Sequence, residues 1–337
     1  MKKYVKYSRY INVAFVLFVI LVVLLSLFFG NYQTQADTTD TVKRASERSA
    51  CNFLILGKDN AAGLCDVVIL GSANADSGDV NLMQIPRDTY LKYTDSSYKK
   101  LNGAYNSLGS AYAVSQILSE ALGVEIDYYI AFDLETVSKM VDIVKGIEVN
   151  VPCDMDYDDP AQNLSIHLKA GKQILDGKSA VEFLRYRSGY ITGDIGRLDA
   201  QKLFLNAFAQ KMKNTKDPIT LYNIYKLISS NAETNIKEQD LISMGLKYNP
   251  SQNKTISYMT APGEAVQSEI SGAWYYILSR PAMTKLLDDV FNGRGNFDKN
   301  NKFVDNDVKS FYDIYNKFCD IRIYTADEIE KNGININ

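Results

Sequence analysis

Apolar residues along this 337-residue chain fall into short blocks, and the spacing inside each block sets the element it predicts. Residues 51–56 (CNFLIL) are nearly all apolar and are stopped by Gly57, which predicts a buried strand. Residues 66–70 (DVVIL) predict a second strand and residues 79–85 (DVNLMQI) a third, with hairpin chemistry at 74–78 between them. Pro86 ends the third strand, because proline has no N–H for a ladder. The period then changes. Val114, Ile117, Leu118 and Leu122 recur at helical spacing and predict one helix over 101–122, with Gly123 as its C-cap. Residues 128–132 predict a strand, 134–144 a helix with Leu134, Val137, Val141 and Val144 on one face, and 147–151 a strand stopped by Pro152. Strands alternating with helices predict an α/β fold, a sheet with helices on its faces.

The second half is less regular. Residues 154–163 read as an acidic, solvated loop, and 165–168 as a short strand carrying a structural His167. Residues 176–184 predict a helix, 189–193 a turn, and the helix after Asp194 shows Phe204, Leu205, Phe208 and Met212 as its core stripe. Further on come helices at 219–229 and 238–246, a strand at 255–259, a loop at 260–269 and a helix at 281–291. Residues 292–301, rich in Asn and Gly, break structure, and 303–337 read as polar and peripheral.

Residues 11–29 are apolar except for Asn12 and Ser26, long enough to span a bilayer as a helix. Lys2, Lys3, Lys6 and Arg9 precede them and no basic residue follows until Lys43. The positive-inside rule therefore puts residues 1–10 in the cytoplasm and everything after Gly30 outside, as a single-pass membrane protein. Cleavage after Ala36 is the competing reading. Residues 31–50 have the composition of a flexible linker, followed by an extracytoplasmic domain over 51–292 and a C-terminal extension over 293–337.

Composition narrows the chemistry. A formal net charge of −3 gives no basic field for nucleic acid. His167 is the one histidine, so a multi-histidine zinc cluster is excluded; acid–base work falls to carboxylates and any metal to oxygen ligands. Cys51, Cys65, Cys153 and Cys319 show no CxxC spacing and are expected as free thiols, a Cys51–Cys65 bridge being the minor alternative.

The densest chemistry lies at 183–201 (FLRYRSGYITGDIGRLDAQ), which holds Arg185, Arg187, Asp194, Arg197 and Gln201. Crowded guanidiniums repel one another unless an anion lies between them, and the planar fork of arginine suits phosphate. Arg185 and Arg187, two apart, share a face if the chain there is extended, whereas Arg197 and Gln201, four apart, share a helix face. Asp194 stands at capping distance from that helix. Asp59 and Asp66 flank the first two strands and are able to converge on one cation. Arg87 and Asp88 directly follow the third.

Six ordered motifs carry a family resemblance: NFLILGKD with Asp59, CDVVIL with Asp66, QIPRDTY with Arg87 and Asp88, KLNGAY with Lys100, Asn102 and Tyr105, FLRYR, and GDIGRLDAQ. Together, over residues 52–212, the chain resembles the LytR–CpsA–Psr family of cell-wall phosphotransferases. The resemblance implies an αβα sandwich around a mixed sheet, with a lipid tail in an apolar tunnel. It implies Mg²⁺-assisted transfer of a glycopolymer, such as teichoic acid or capsule, from an undecaprenyl-pyrophosphate-type carrier to a peptidoglycan hydroxyl. By the same resemblance Asp59 and Asp66 are the metal-side carboxylates. Arg87, Lys100, Arg185, Arg187, Arg197 and Gln201 hold the pyrophosphate. Asp194 or Asp88 orients an arginine or acts as base, and Arg187 or Arg197 assists the leaving group. Two positions depart from the pattern: Leu64 and Ala200 stand where members commonly carry arginine. The alternatives are a carrier-binding or regulatory protein with little transfer activity, and a pyrophosphatase using water as acceptor.

Overall fold

The computed structural model describes residues 50–59, 64–74, 77–93, 99–160, 164–215, 217–237 and 255–336. The expected span at 11–29, the linker up to residue 49 and the helix at 238–246 lie outside them. Among the described residues no helix is long and apolar enough to cross a membrane.

Strands β1 (Ala50–Asp59), β2 (Leu64–Asn74) and β3 (Val80–Ile85) form an antiparallel meander, registered at Leu54↔Leu70 and Leu70↔Met83. Gly71 sits opposite Phe53, and a Cβ there would lie 1.5 Å from the Phe53 ring. The helix expected over 101–122 is broken. A 3-10 turn (Leu101–Gly103) and a short α1 (Ala104–Leu108) end at Gly109, whose φ of 82° turns the chain. Ser110 then caps α2 (Ala111–Leu122), its side chain accepting from the Ala113 amide at 3.1 Å. Helical spacing of apolar residues continues across a break of this kind, so periodicity alone does not reveal it.

β4 (Tyr128–Asp133) returns parallel to β1, and α3 (Leu134–Ile143) follows with Asp133 as its N-cap. β5 (Ile147–Val151), β6 (Met155–Asp159), β7 (Leu164–Leu168) and β8 (Gly171–Leu175) make two small antiparallel pairs, β5 with β8 and β6 with β7. The acidic loop expected at 154–163 is thus largely a strand: the acidic side chains of β6 face water while Leu164, Ile166 and Leu168 of β7 are buried. His167 is on the open face, 2.7 Å from Asp156 through Nδ1, and is not a core histidine.

Helices α4 (Gly177–Arg185), α5 (Asp194–Asn214) and α6 (Pro218–Asn231) precede β9 (Glu233–Thr234) and β10 (Ile256–Thr260). The loop expected at 260–269 contains β11 (Gly263–Gln267), which forms a hairpin with β12 (Trp274–Leu278). α7 (Arg280–Phe291), α8 (Lys309–Asn316), β13 (Ile323–Thr325) and α9 (Ala326–Asn332) complete the described chain.

The central sheet has seven strands in the order β13-β10-β3-β2-β1-β4-β9. It is mixed: β1/β4 and β3/β10 are parallel, the other neighbours antiparallel. Alternate residues of β1 enter two cores. Phe53 and Ile55 join Val137 and Val141 of α3, Phe183 of α4 and Phe204 of α5. Leu54 and Leu56 join Val114 and Leu118 of α2, Leu287 of α7 and Phe311 of α8. Helices therefore cover both faces.

The stretch 303–337 is structural, against the expectation of a polar periphery. Phe303, Val304, Phe311 and Tyr315 are buried in one core, Ile329, Ile334 and Ile336 in the other, and β13 forms the sheet's edge. Its apolar residues are sparse, one to each turn or so, and the intervening charges hide them from a composition reading. None of the four cysteines forms a disulfide. Cys51 pairs with Ala73 and Cys65 with Lys58, so the two thiols lie at opposite ends of the β1–β2 pair, which removes the alternative bridge.

Candidate functional site

β1, β3, β4 and β10 all run in one direction, so their C-terminal ends share one edge of the sheet. Ligands of open α/β sheets bind at that edge. Here it carries Asp59 at the end of β1, the Pro86-Arg87-Asp88 segment after β3, and Asp66 near the start of the antiparallel β2. The side chain of Asp59 lies outside the described residues.

α5 begins at Asp194 and aims its first turns at this edge. Arg87 Nη1 donates to Asp66 Oδ1 at 3.0 Å, and Arg187 Nη2 stands 3.9 Å from Asp66 Oδ2. Asp194 Oδ2 accepts from Arg197 Nη2 at 3.0 Å, while its Oδ1 lies 3.9 Å from Arg87 Nε. Three guanidiniums and two carboxylates thus form one cluster carrying one excess positive charge. Burial pushes the Asp194 carboxyl up, but Arg197, Arg87 and Arg187 outweigh it and hold the group below the usual carboxylate range. Arg187 shows the opposite imbalance: burial and the charges of Arg197 and Arg87 push it down to about 10. Arg87 is depressed by burial yet held above its ordinary value by Asp66, Asp194 and Asp88.

Several buried donors in and around this cluster have no hydrogen-bond partner: Arg87 Nε, Arg197 Nε, Gln201 Nε2 and the Tyr190 hydroxyl. Gln201 accepts from Gln84 Nε2 at 3.0 Å through its other amide atom. Leaving a buried donor unsatisfied costs about 1–3 kcal/mol. Donors of this kind gathered around excess positive charge suit the oxygens of an anion.

Asp66, Arg87, Arg187, Asp194, Arg197 and Gln201, all expected from sequence, come together here. Asp88 sits one residue from the cluster and is held by Lys100 at 3.1 Å. Arg185 does not alternate with Arg187 along an extended face: it closes α4, and the chain turns extended only at Tyr186, whose ψ is 138°. Asp194 is not the cap but the first residue of α5, because Gly193 takes the cap position. Neither nearby lysine supplies the arginines missing at Leu64 and Ala200. Lys202 Nζ is bound to Asp199 at 2.6 Å and Thr260 at 2.7 Å, and Lys58 lies over the Tyr105 ring. Ala200 itself is buried in the core.

Sequence reasoning missed Gln84 and Tyr190. Gln84 had a visible signal, an amide in an otherwise apolar strand end; Tyr190 had none, being one tyrosine among 23.

No group of three or more His, Cys, Asp or Glu able to hold a metal occurs among the described residues. The fit to magnesium is nevertheless adequate at one carboxylate. Asp66 Oδ2 lies beyond direct hydrogen-bond reach of Arg187, at 3.9 Å, and retains lone pairs for a further ligand. Mg²⁺ commonly takes one or two carboxylates and completes its shell with phosphate oxygens and water.

A family model described as the LytR_cpsA_psr family matches residues 27–292. The chain is 28% identical over 255 residues to the polyisoprenyl-teichoic acid–peptidoglycan teichoic acid transferase TagU of Oceanobacillus iheyensis, covering 72% of this chain and 76% of that protein. It is 26% identical to the regulatory protein MsrR of Staphylococcus aureus, covering 63% of this chain and 64% of that one. In fold it is similar to the crystal structure of Bacillus subtilis TagV, with a TM-score of 0.61 and 24% identity, over 73% of this chain and 97% of that one.

Proposed function

The chain belongs to the LytR–CpsA–Psr family, and from that premise we propose that it transfers a glycopolymer, as glycosyl phosphate, from a polyprenyl-diphosphate carrier to a sugar hydroxyl of peptidoglycan. The observation that carries the reading is the set of partnerless buried donors on Arg87, Arg197 and Gln201 beside an excess of guanidinium charge. A diphosphate supplies acceptor oxygens for such donors and has the charge to hold three arginines together. The homologous TagU, a transferase that moves teichoic acid onto peptidoglycan, supports the substrate class.

In this mechanism Arg87, Arg187 and Arg197 bind the diphosphate, with Gln201 donating a neutral hydrogen bond. Asp194 is a weak base, since three guanidiniums favour its charged form, and its work is to orient Arg87 and Arg197. Asp88 takes the proton of the incoming hydroxyl, with Lys100 fixing the carboxylate. The acceptor oxygen bonds to the sugar-proximal phosphorus, and the bond from that phosphorus to the bridging oxygen breaks. The polyprenyl monophosphate leaves with the charge that Arg187 and Arg197 neutralise. Asp66 and Asp59 are the residues to hold Mg²⁺, which when bound draws charge from the diphosphate oxygens. Arg185, the last residue of α4, keeps the pyrophosphate-binding role that the family resemblance implies. The lipid tail, the extracytoplasmic location and the anchor at residues 11–29 complete the reading as a membrane-bound transferase.

A second reading is favoured by Leu64 and Ala200, which leave the site two arginines short of the family pattern without replacement by Lys58 or Lys202. It is a carrier-binding, regulatory protein with little turnover. The test uses the full chain in detergent with a polyprenyl-diphosphoryl sugar and a peptidoglycan acceptor, with and without Mg²⁺, beside Arg187→Ala. Transfer lost in the variant supports the enzyme. Tight carrier binding without product supports the second reading, and release of free sugar phosphate in place of the conjugate indicates a pyrophosphatase.

A further inference from the structure

The β11–β12 hairpin brings the chain's one tryptophan to the rim of the site. We propose that the cleft between Asp88 and Trp274 is the acceptor subsite, where Trp274 stacks on one pyranose ring of the incoming glycan. This rests on the transferase reading above and specifies where the second substrate sits.

The hairpin is fastened to the segment that carries Asp88. The Tyr276 amide donates to the Asp88 carbonyl at 2.9 Å, and the Tyr90 amide donates to the Tyr276 carbonyl at 3.0 Å. The Tyr276 hydroxyl donates to the Ala261 and Gly263 carbonyls, both at 2.9 Å. The Tyr275 ring packs edge-on against Tyr90 and Phe311, with centroids 5.4 and 5.3 Å away. The backbone on either side of Asp88 is therefore rigid, yet the Trp274 side chain remains 57% exposed. An exposed indole on a braced strand is a ready contact surface for a flat partner.

Asp88, Thr192 and Asp194 share the lining of a cleft of about 110 Å³ with a mostly apolar surface that includes Pro86, Ile195 and Trp274. Asp194 also belongs to the arginine cluster, so the cleft shares a wall with the place proposed for the diphosphate. The lining selects the occupant by chemistry. Two carboxylates repel a further phosphate. A polyprenyl chain matches the apolar part of the surface, but it covers Asp88, Asp194 and Thr192 with hydrocarbon and leaves those polar groups unpaired. A sugar ring meets both demands, with a C–H face for the indole and a rim of hydroxyls for Asp88 and Thr192. It also brings a hydroxyl to the carboxylate assigned as base, as acid–base catalysis requires.

Because Trp274 is the single tryptophan, its emission reports on this cleft alone. The first experiment titrates the full chain in detergent with chitotetraose, a soluble β-1,4-linked N-acetylglucosamine chain. A saturable change in emission is expected, and no response overturns the proposal. The second measures transfer. Trp274→Ala is expected to raise the acceptor KM about tenfold with the donor KM moving less than twofold, and Trp274→Phe to restore most of the loss. Equal rises in both KM values overturn the subsite and mark Trp274 as merely structural. The two readings fail separately: an emission response without transfer keeps the glycan site and removes the transferase, whereas transfer with an unchanged acceptor KM in Trp274→Ala keeps the transferase and removes the subsite.

Discussion

Arg197 lies 3% exposed within α5, and its guanidinium donates to the Asp194 carboxylate one turn earlier at 3.0 Å. A buried arginine satisfied by a carboxylate of its own helix is held in place before any ligand arrives, with its Nε left without a partner. The pair is a preformed half of an anion site, and its two members have different tasks.

Asp194→Asn tests the orienting member. Its folded carboxyl lies below the unfolded value, so its stabilisation is fully present above pH ~4 and lost as pH falls through the folded value. The variant is expected to be less stable than the parent at pH 7. The gap narrows as pH falls below ~4, as urea unfolding at neutral and at acid pH checks.

Arg187 is crowded by like charges and by burial, which push it down to about 10, and it remains charged at neutral pH. Removing it relieves repulsion while deleting a phosphate ligand. Arg187→Ala is expected to keep or raise the melting temperature of the protein alone. The rise in melting temperature that inorganic pyrophosphate gives the parent is expected to be lost. Affinity for pyrophosphate falls by about tenfold or more, matching a charge-assisted hydrogen bond of about 1.5–3 kcal/mol. Calorimetry and thermal shift measure both.

Lys202 is fully buried and paired with Asp199 at 2.6 Å. Burial holds its amine below the ordinary lysine value, with Asp199 opposing. Breaking one side strands a charge, so Asp199→Ala is expected to cost about 3 kcal/mol or more, whereas the double variant Asp199→Leu/Lys202→Met costs much less. Chemical denaturation of the two variants decides it.

Gly71 faces the Phe53 ring, and a methyl group there meets a ring carbon at 1.5 Å. Gly71→Ala is expected to destabilise by about 1–3 kcal/mol, with Phe53→Leu in the same chain recovering part of the loss. The readout is the denaturation midpoint of the single and double variants.

Strands β1 to β4 and helices α3 and α4 were legible in the sequence because each is a contiguous block whose period reports its own geometry. β11 was hidden because Gly263–Gln267 offers only two apolar residues, whereas β12 is a contiguous apolar block (WYYIL) whose strand signal was present in the sequence and went unassigned. The C-terminal elements were hidden because their buried positions are few among charges. The sequence also named most of the arginine cluster, since Arg, Asp and Gln crowded into one stretch announce an anion site whatever the fold. Residue type cannot show direction. Arg185 and Arg187 are two apart, but α4 runs through the first and ends before the second, and the extended chain after it brings Arg187 to 3.9 Å from Asp66. By charge alone Lys202 could replace the arginine missing at Ala200, yet its place on α5 carries it to Asp199 and Thr260. The sequence by itself determined an α/β chain with an anion-binding stretch. Only the tertiary structure decided which charges converge, because convergence depends on where the ends of β2 and β3 and the start of α5 meet. It also decided that Trp274, far along the chain from the arginine cluster, stands beside Asp88, because strand pairing across the edge of the site brought it there.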